Sequence, residues 1–151
     1  MTKTHELNLF CDRLSAGEQF ESTAARNRIL YVAQGSVGVD GSEQGADTAW
    51  FGAGPVSCQA SPAGAELWRW ELSPTGGDAG GGALLGAPIT TLEPGAGWLM
   101  RCDSVALPPE GCAYRHVHQG PGIRCLLEGG IRVETGGQAH DGPLSVASIT
   151  R

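Results

Sequence analysis

The segment Ala65-Glu-Leu-Trp-Arg-Trp-Glu-Leu72 decides the fold class, because polar and apolar residues alternate along it. Successive side chains of a β-strand point to opposite faces, so Leu67, Arg69 and Glu71 fall on one face. The opposite face holds both tryptophans of the segment. The alternation predicts a strand, and the tryptophans make their face the expected core face.

Further strand-like segments flank this one. Arg28–Ala33 is an apolar run with β-branched and aromatic members, and Gly35–Gly41 alternates and ends in the turn pair Asp-Gly. Only Leu14–Ala25 resembles a helix, and Gly17 weakens that interpretation. The 24 glycines and nine prolines fit frequent turns between short strands. We therefore expect an all-β fold.

Composition excludes several classes of function. The chain of 151 residues has a formal net charge of −6 and no basic cluster, which argues against a nucleic-acid partner. No apolar run approaches the roughly 20 residues that span a bilayer, so no membrane association is expected. The first residues lack the apolar stretch of a signal peptide, which predicts a cytoplasmic location.

The remaining short motifs add no cofactor chemistry. The sequence contains no glycine-rich nucleotide-binding motif and no nucleophile elbow, so no nucleotide cofactor is expected. The five cysteines form no Cys-x-x-Cys pair and are interpreted as small buried apolar residues.

The glycine-rich stretch near the middle divides the chain. We expect a β unit without metal ligands over residues 1–74, a linker over 75–87 and a second, partial unit over 88–151. Ile29–Val39 lines up with Ile123–Val133, since each is an apolar strand, a polar residue with Gly, and an alternating strand. If this repeat is real, the second unit lacks its last strands, through truncation or because a partner chain supplies them.

The pair His116 and His118 is the most chemically specific feature. On a strand, residues two apart share a face, so both imidazoles would point the same way, and Tyr114 with them. Two converging neutral imidazoles can bind Fe, Mn, Ni, Zn or Cu as divalent ions. The alternative is two polar residues on a half-exposed strand.

The segment around this pair resembles the first motif of the cupin family. Gly111 precedes His116 by five positions, Gly122 follows His118 after three residues, and six further residues lead to Gly129. The resemblance implies a double-stranded β-helix, or jelly-roll barrel, in which the first half is a degenerate unit. It also implies a homodimer.

Two departures from the family pattern limit what can be carried over. Gly122 stands where the family has a glutamate ligand, and the third family histidine has no clear counterpart. His140 is the one histidine further downstream and could complete a site, as could Glu110 or Glu128, which are interpreted instead as exposed turn residues. Arg124 would share an inward face with Gly122 and hold a carboxylate or phosphate, or else lie on the surface.

Two functions from different classes follow from the resemblance. The first is a metal-dependent enzyme, of dioxygenase or isomerase type, with the metal on His116 and His118 and a small organic acid held by Tyr114 and Arg124. The second is a non-catalytic cupin that binds a small molecule or has a structural role without metal. The catalytic residues are left unassigned.

Overall fold

The computed structural model describes residues 5–75, 85–89, 92, 96–116, 122–135, 138–142 and 148–150. In these ranges every regular element is a strand and no helix occurs, which confirms the all-β prediction. The strands are β1 (His5–Leu14), β2 (Gln19–Ser22), β3 (Asn27–Val39), β4 (Ser42–Gly45), β5 (Thr48–Gly52), β6 (Val56–Pro74), β7 (Leu85–Ile89), β8 (Gly122–Arg124), β9 (Ile131–Thr135), β10 (Gln138–Gly142) and β11 (Ser148–Thr150).

The first seven strands form one antiparallel sheet around β6. The order is β4-β3-β6-β1-β7, with β2 on β6 and β5 on β3. β6 pairs with β1 from Ala65 to Pro74, with β3 from Cys58 to Leu72 and with β2 from Val56 to Gln59. This 19-residue strand therefore pairs directly with three others, while β4 and β5 attach through β3 and β7 attaches through β1.

β3 and β6 are both irregular where Gly35 of β3 lies beside Gly64 of β6. Gly35 and Gly64 both have positive φ, at 75° and 80°, where residues with a side chain are disfavoured. A Cβ on Gly35 would come within 2.2 Å of the Gly64 carbonyl oxygen, so the backbones touch here. The register shifts between Val32 and Gln34 and again between Gly35 and Val37.

The bend brings distant parts of β3 into one core. An extra residue in a strand reverses its alternation, and here Val32 and Val37, five positions apart, both point to the core. Straight strands would separate Leu30 from Val39 by about 30 Å. The apolar core consists of Leu30, Val32, Val37, Val39, Val56, Cys58 and Leu67.

The face of β6 that carries Leu67, Arg69 and Glu71 is called the inner face. All three of these residues are buried, whereas Trp68 and Trp70 on the opposite face are only half-buried. The prediction that the tryptophan face is the core face was therefore wrong. Leu67 belongs to the apolar core. Arg69 and Glu71 lie on the same face of β6, nearer its C-terminal end.

The two aligned segments adopt related arrangements. In the first unit, defined as β3, β4 and β5, Arg28–Val32 pairs with β5 and Ser36–Val39 pairs with β4. In the second unit, defined as β8 to β11, β8 pairs with β11 and β9 pairs with β10. Gly35 and Gly129 occupy aligned positions, and Gly129 also has positive φ, at 80°.

The predicted division of the chain stays a prediction. Residues 76–84 of the expected linker lie outside the described residues, and Leu85–Ile89 forms β7, which pairs with β1. The part of the chain that the structure describes contains no helix long and apolar enough to cross a membrane.

Candidate functional site

The inner face carries a row of aligned residues across five strands. Arg28 of β3 lies opposite Gly52 of β5 on one side and opposite Glu71 of β6 on the other. Glu71 lies opposite Asn8 of β1, and Asn8 lies opposite Gly86 of β7. Residues that are aligned across neighbouring strands point to the same face of a sheet. The side chains of Arg28, Glu71 and Asn8 therefore lie next to each other on the inner face.

Glu71 is the centre of a buried charge network that we call the arginine cluster. Its Oε1 accepts from Arg28 Nε at 3.1 Å and from Arg69 Nη1 at 2.7 Å, and its Oε2 accepts from Arg26 Nη1 at 3.0 Å. Arg28 is 0 % exposed and Glu71 is 1 % exposed. A buried charge is tolerated only with such partners, since desolvation of an unpaired ion costs several kcal/mol.

Arg28 has protein partners on all three of its nitrogens. Besides Glu71, Nη1 donates to the Gly54 carbonyl at 2.7 Å, and Nη2 donates to Ser22 Oγ at 3.0 Å and to the Ala24 carbonyl at 2.9 Å. This arginine therefore ties the segment before β3 and the end of β5 to β6, which is a structural role.

Arg69 extends the arginine cluster toward β1. Its Nε and Nη2 donate to the two oxygens of Asp12 at 2.8 and 3.2 Å, and its guanidinium lies over the rings of Phe10 and Phe20 at 4.0 and 4.7 Å. Burial lowers the pKa of Arg69, but the hydrogen bonds and charges of Asp12 and Glu71 outweigh burial and raise this pKa. The arginine cluster therefore joins Arg26, Arg28 and Arg69 to Glu71 and Asp12.

Two buried polar atoms beside this cluster have no hydrogen-bond partner within the described residues. They are Nδ2 of Asn8 and Oγ of Ser73, in residues that are 3 % and 2 % exposed. Asn8 is opposite Glu71 and Ser73 is two residues further along β6, so the two residues are diagonal neighbours on the inner face. Unpartnered buried polar groups are rare in proteins and call for an explanation.

The residue opposite Asn8 on β7 is Gly86. A Cβ on Gly86 would meet Glu6 Oε1 at 2.7 Å and Asn8 Oδ1 at 3.1 Å. The Glu6 and Asn8 side chains therefore pack closely against the Gly86 backbone. Any larger residue in this position would displace the Glu6 or Asn8 side chain.

The predicted metal and ligand residues of the second half have a different setting. His116 and Tyr114 lie on an exposed segment outside any strand, and Tyr114 is 91 % exposed. The strand on which we expected them to share a face is therefore not present at these positions. His118 lies outside the described residues, so its assignment as a metal ligand stays a prediction.

One contact of His116 is informative about its tautomer. Its Nδ1 is 2.6 Å from the Tyr114 carbonyl oxygen, which can only accept a hydrogen bond. A hydrogen bond between these two atoms requires the tautomer with the proton on Nδ1, in which Nε2 of the neutral ring carries the lone pair. Metal-binding histidines commonly have this arrangement, with one ring N–H donated to a backbone carbonyl.

The other residues named from the sequence are dispersed. Arg124 is half-buried on β8, and His140 lies on β10 with its backbone opposite Val133. Glu110 has positive φ in an exposed turn and Glu128 is exposed in a bend, which confirms their interpretation as turn residues. Within the described ranges no group of three or more His, Cys, Asp or Glu residues is arranged to hold a metal ion.

Burial disfavours the thiolate form of Cys58 and Cys125. Burial raises the pKa of Cys58 to about 11 and that of Cys125 to about 12. Thiolates are the reactive species, so these two cysteines are inert and behave as packing residues. Cys58 is buried, as predicted for all five cysteines, whereas Cys11 and Cys125 are half-buried and Cys102 and Cys112 are exposed, so the prediction was wrong for the two exposed thiols.

A shallow groove of about 360 Å³ lies at the other end of the sheet, between the β3–β4 hairpin and β6. Its walls are formed by Ser36, Val37, Gly38, Gly41, Ser42, Glu43, Gln59, Ser61 and Pro62. It contains no buried charge and does not reach the arginine cluster.

Sequence reasoning did not assign Arg28, Asn8 or Ser73 to a site. A signal was present: Arg28 directly precedes the apolar run of β3, and Arg69 and Glu71 alternate with tryptophans. Charged residues in such positions face either solvent or each other, and the choice depends on the cross-strand register.

Comparison with known proteins gives no relative. No family model matches the chain, and no curated protein and no solved structure is similar to it.

Proposed function

We propose that this chain is a cupin-like protein that binds a small organic acid against the inner face of its first sheet. The observation that carries this proposal is the pair of unpartnered buried polar atoms, Asn8 Nδ2 and Ser73 Oγ, beside the buried guanidiniums of Arg28 and Arg69. Buried hydrogen-bond donors close to guanidiniums favour an anionic ligand in a site of low dielectric. The jelly-roll closure of the sheet and the homodimer are part of this proposal.

This site favours the non-catalytic alternative among the two functions expected from the sequence. The guanidiniums are held by carboxylates and carbonyls, and the nearby Cys58 thiol is kept protonated by burial. The guanidiniums and carboxylates of this cluster thus bind one another, and its nearby thiol is not an activated nucleophile.

Binding of carboxylates tests the proposal. Acetate, succinate and citrate are titrated at pH 7 into the purified chain, with acetamide and succinamide as uncharged controls, by calorimetry and thermal unfolding. A ligand at one hundred times its Kd stabilises the folded state by about 2.7 kcal/mol, so a carboxylate that binds raises the Tm by several degrees. The proposal is refuted if none of the three carboxylates binds or shifts the Tm.

A metal-dependent function is the second candidate, and the tautomer of His116 favours it. With Nδ1 donated to the Tyr114 carbonyl, Nε2 is the nitrogen that would bind a metal such as Fe, Mn, Ni, Zn or Cu. We expect His118 to be the second ligand, with His140 as a third. Tyr114 and Arg124 would then contact the acid.

Metal content distinguishes the two candidates. The chain is incubated with Fe(II), Mn(II), Ni(II) or Zn(II), desalted and analysed for bound metal, in parallel with His116→Ala and His118→Ala. The metal-dependent candidate requires binding that both substitutions abolish. If wild type and variants retain the same amount of metal, only the metal-free function remains.

A further inference from the structure

We propose that the groove between the β3–β4 hairpin and β6 binds an uncharged, polyhydroxylated ligand such as a sugar unit. The ring of the ligand lies over Gly38, and its hydroxyl groups bind Glu43 and Gln59. This groove is separate from the inner-face site, so the inference does not depend on the proposed function. Its volume of about 360 Å³ is at the small end of the range of about 300–1,000 Å³ that is typical of small-molecule sites.

Gly38 is a glycine that the fold itself does not require. It pairs with a strand on each side, where glycine weakens a sheet, and its φ is not positive. A Cβ at this position would meet no atom of the described residues within 4 Å, so no neighbouring segment described here needs the space. Glycine inside a strand often marks a place where a ligand approaches the backbone. Because Gly38 lines the groove, its missing side chain leaves room for such a ligand.

The two residues beside Gly38 supply polar groups. Glu43 of β4 and Gln59 of β6 are both aligned with Gly38, and all three are exposed on the same face of the sheet. Neighbouring strands are about 4.8 Å apart, so the backbones of Glu43 and Gln59 are about 10 Å apart, with Gly38 between them. This gap accommodates a six-membered ring that lies on the glycine. Neighbouring hydroxyls of the ring donate to the carboxylate of Glu43, and the amide of Gln59 both donates and accepts.

The side chains of the groove indicate the class of ligand. Glu43 is the charged residue among the described residues that line it, and a carboxylate repels an acid. Ser36, Ser42 and Gln59 are neutral, and each can donate and accept hydrogen bonds. Hydroxyl groups of a ligand can also do both, whereas an ammonium ion would use the acceptors alone. These groups therefore match a polyhydroxylated ligand better than an acid or a cation.

Nuclear magnetic resonance titrations of the isotope-labelled chain test the inference. The probes are glucose, mannose, galactose, maltose and lactose, with acetate and tetramethylammonium as charged controls. At least one sugar is expected to shift the amide resonances of Gly38, Glu43 and Gln59 in a saturable way, with a Kd in the millimolar range or below. The inference is overturned if no sugar does so, or if a charged control shifts these resonances and the sugars do not.

A variant that fills the groove provides a sharper test. Gly38→Val is expected to weaken sugar binding at least tenfold, whereas Gly45→Val, at an equally open position of β4 outside the groove, leaves it unchanged. The Tm of Gly38→Val is expected to stay the same or rise, because valine favours strands and its Cβ has space. If Gly38→Val binds sugar as tightly as the wild-type chain, the inference is wrong.

Two glutamines on neighbouring strands form a matched pair of variants. Gln59→Ala is expected to weaken sugar binding at least threefold, because it removes an amide that contacts the ligand. Gln19→Ala should leave binding unchanged, since Gln19 lies opposite Gln59 on β2, is also exposed and does not line the groove. Equal affinities of these two variants would contradict the assignment of Gln59. This pair decides the question if Gly38→Val does not fold.

Discussion

The first and second units follow the same local plan but differ in burial. Each has a strand, a glycine with positive φ, a second strand and two returning strands that pair with the two halves. In the first unit Val37 and Val39 are fully buried, whereas the aligned Ile131 is exposed and Val133 is half-buried. The first unit is more buried because β6 pairs with the edge of β3 that β4 and β5 leave free. Among the strands described in the second unit, none takes the corresponding position.

The local sequence pattern is therefore enough to specify the hairpins of both units. Which residues become buried depends on pairing with the long central strand β6. β6 brings Leu67 into the apolar core and places Arg69 and Glu71 in the arginine cluster. Paired substitutions in the two units test how much stability depends on this strand.

The largest difference is expected for Glu71→Ala against Glu134→Ala. Glu71 pairs with the buried guanidiniums of Arg28 and Arg69 and with the half-buried Arg26, so its loss should lower the free energy of unfolding by about 3–5 kcal/mol. Glu134 forms an exposed pair with Arg132 at 3.2 Å, and its loss should cost about 0–1 kcal/mol. Urea unfolding followed by tryptophan fluorescence measures both. Equal losses would mean that the cluster does not stabilise the sheet.

The next difference is expected for Leu67→Ala against Leu127→Ala. Leu67 is fully buried in the apolar core, so truncation leaves a cavity and should cost about 3 kcal/mol. Leu127 is half exposed, and its truncation should change stability by less than about 0.5 kcal/mol. Thermal unfolding of both variants gives the comparison. A larger loss for Leu127→Ala would show that the second unit contains a core of its own.

A smaller difference is expected for Gly35→Ala against Gly129→Ala. Both positions have positive φ, which costs a residue with a side chain about 1–2 kcal/mol. Only at Gly35 would the new Cβ also meet a backbone carbonyl, at 2.2 Å, while nothing lies within 4 Å at Gly129. Chemical unfolding should therefore show Gly35→Ala to be less stable by about 1 kcal/mol or more. Equal stabilities would mean that the bend at Gly35 adjusts without cost.

The smallest effect is expected on the outer face of the first sheet. The Trp68 indole N–H donates to Glu66 Oε1 at 3.0 Å and lowers the pKa of Glu66, with a further contribution from Arg13. A lowered pKa means that Glu66 stabilises the fold above pH 4.5, its ordinary pKa, and that this stabilisation is lost as the pH falls through the lowered value.

Two variants isolate this contribution. Glu66→Gln should reduce the loss of stability between pH 5 and pH 3 by less than about 1 kcal/mol, since the pair is partly exposed. Trp68→Phe, which removes the indole donor, should have an effect in the same direction. A steeper acid dependence in either variant would contradict the assignment.

The sequence predicted where strands occur better than it predicted which face of each strand is buried. The alternation of residues 65–72 and the Asp-Gly turn after β3 identified strands correctly, because both signals are local. Residues 29–39 and 123–133 were aligned from their pattern, and both contain a positive-φ glycine at the matched position. These features need no knowledge of distant residues.

The buried face of β6 could not be derived in this way. Arg69 and Glu71 are buried because Arg28 lies opposite Glu71 and because Asp12 and Phe10 of β1 reach Arg69. Those partners are more than 40 positions away in sequence, and only the register brings them together. The prediction of a strand at His116 was wrong for a related reason. Among the described residues, no strand pairs with the segment that contains His116.

The central position of β6 also has a consequence for synthesis. β1, β2 and β3 all pair with β6, yet all three precede it in the chain. During translation they leave the ribosome before the strand that joins them, so their edges are open until residue 74 has emerged. Exposed strand edges promote aggregation, and pairing across such sequence distances is slow. The interval between the emergence of β1 and the completion of β6 is therefore when the nascent chain exposes the most unpaired strand edge.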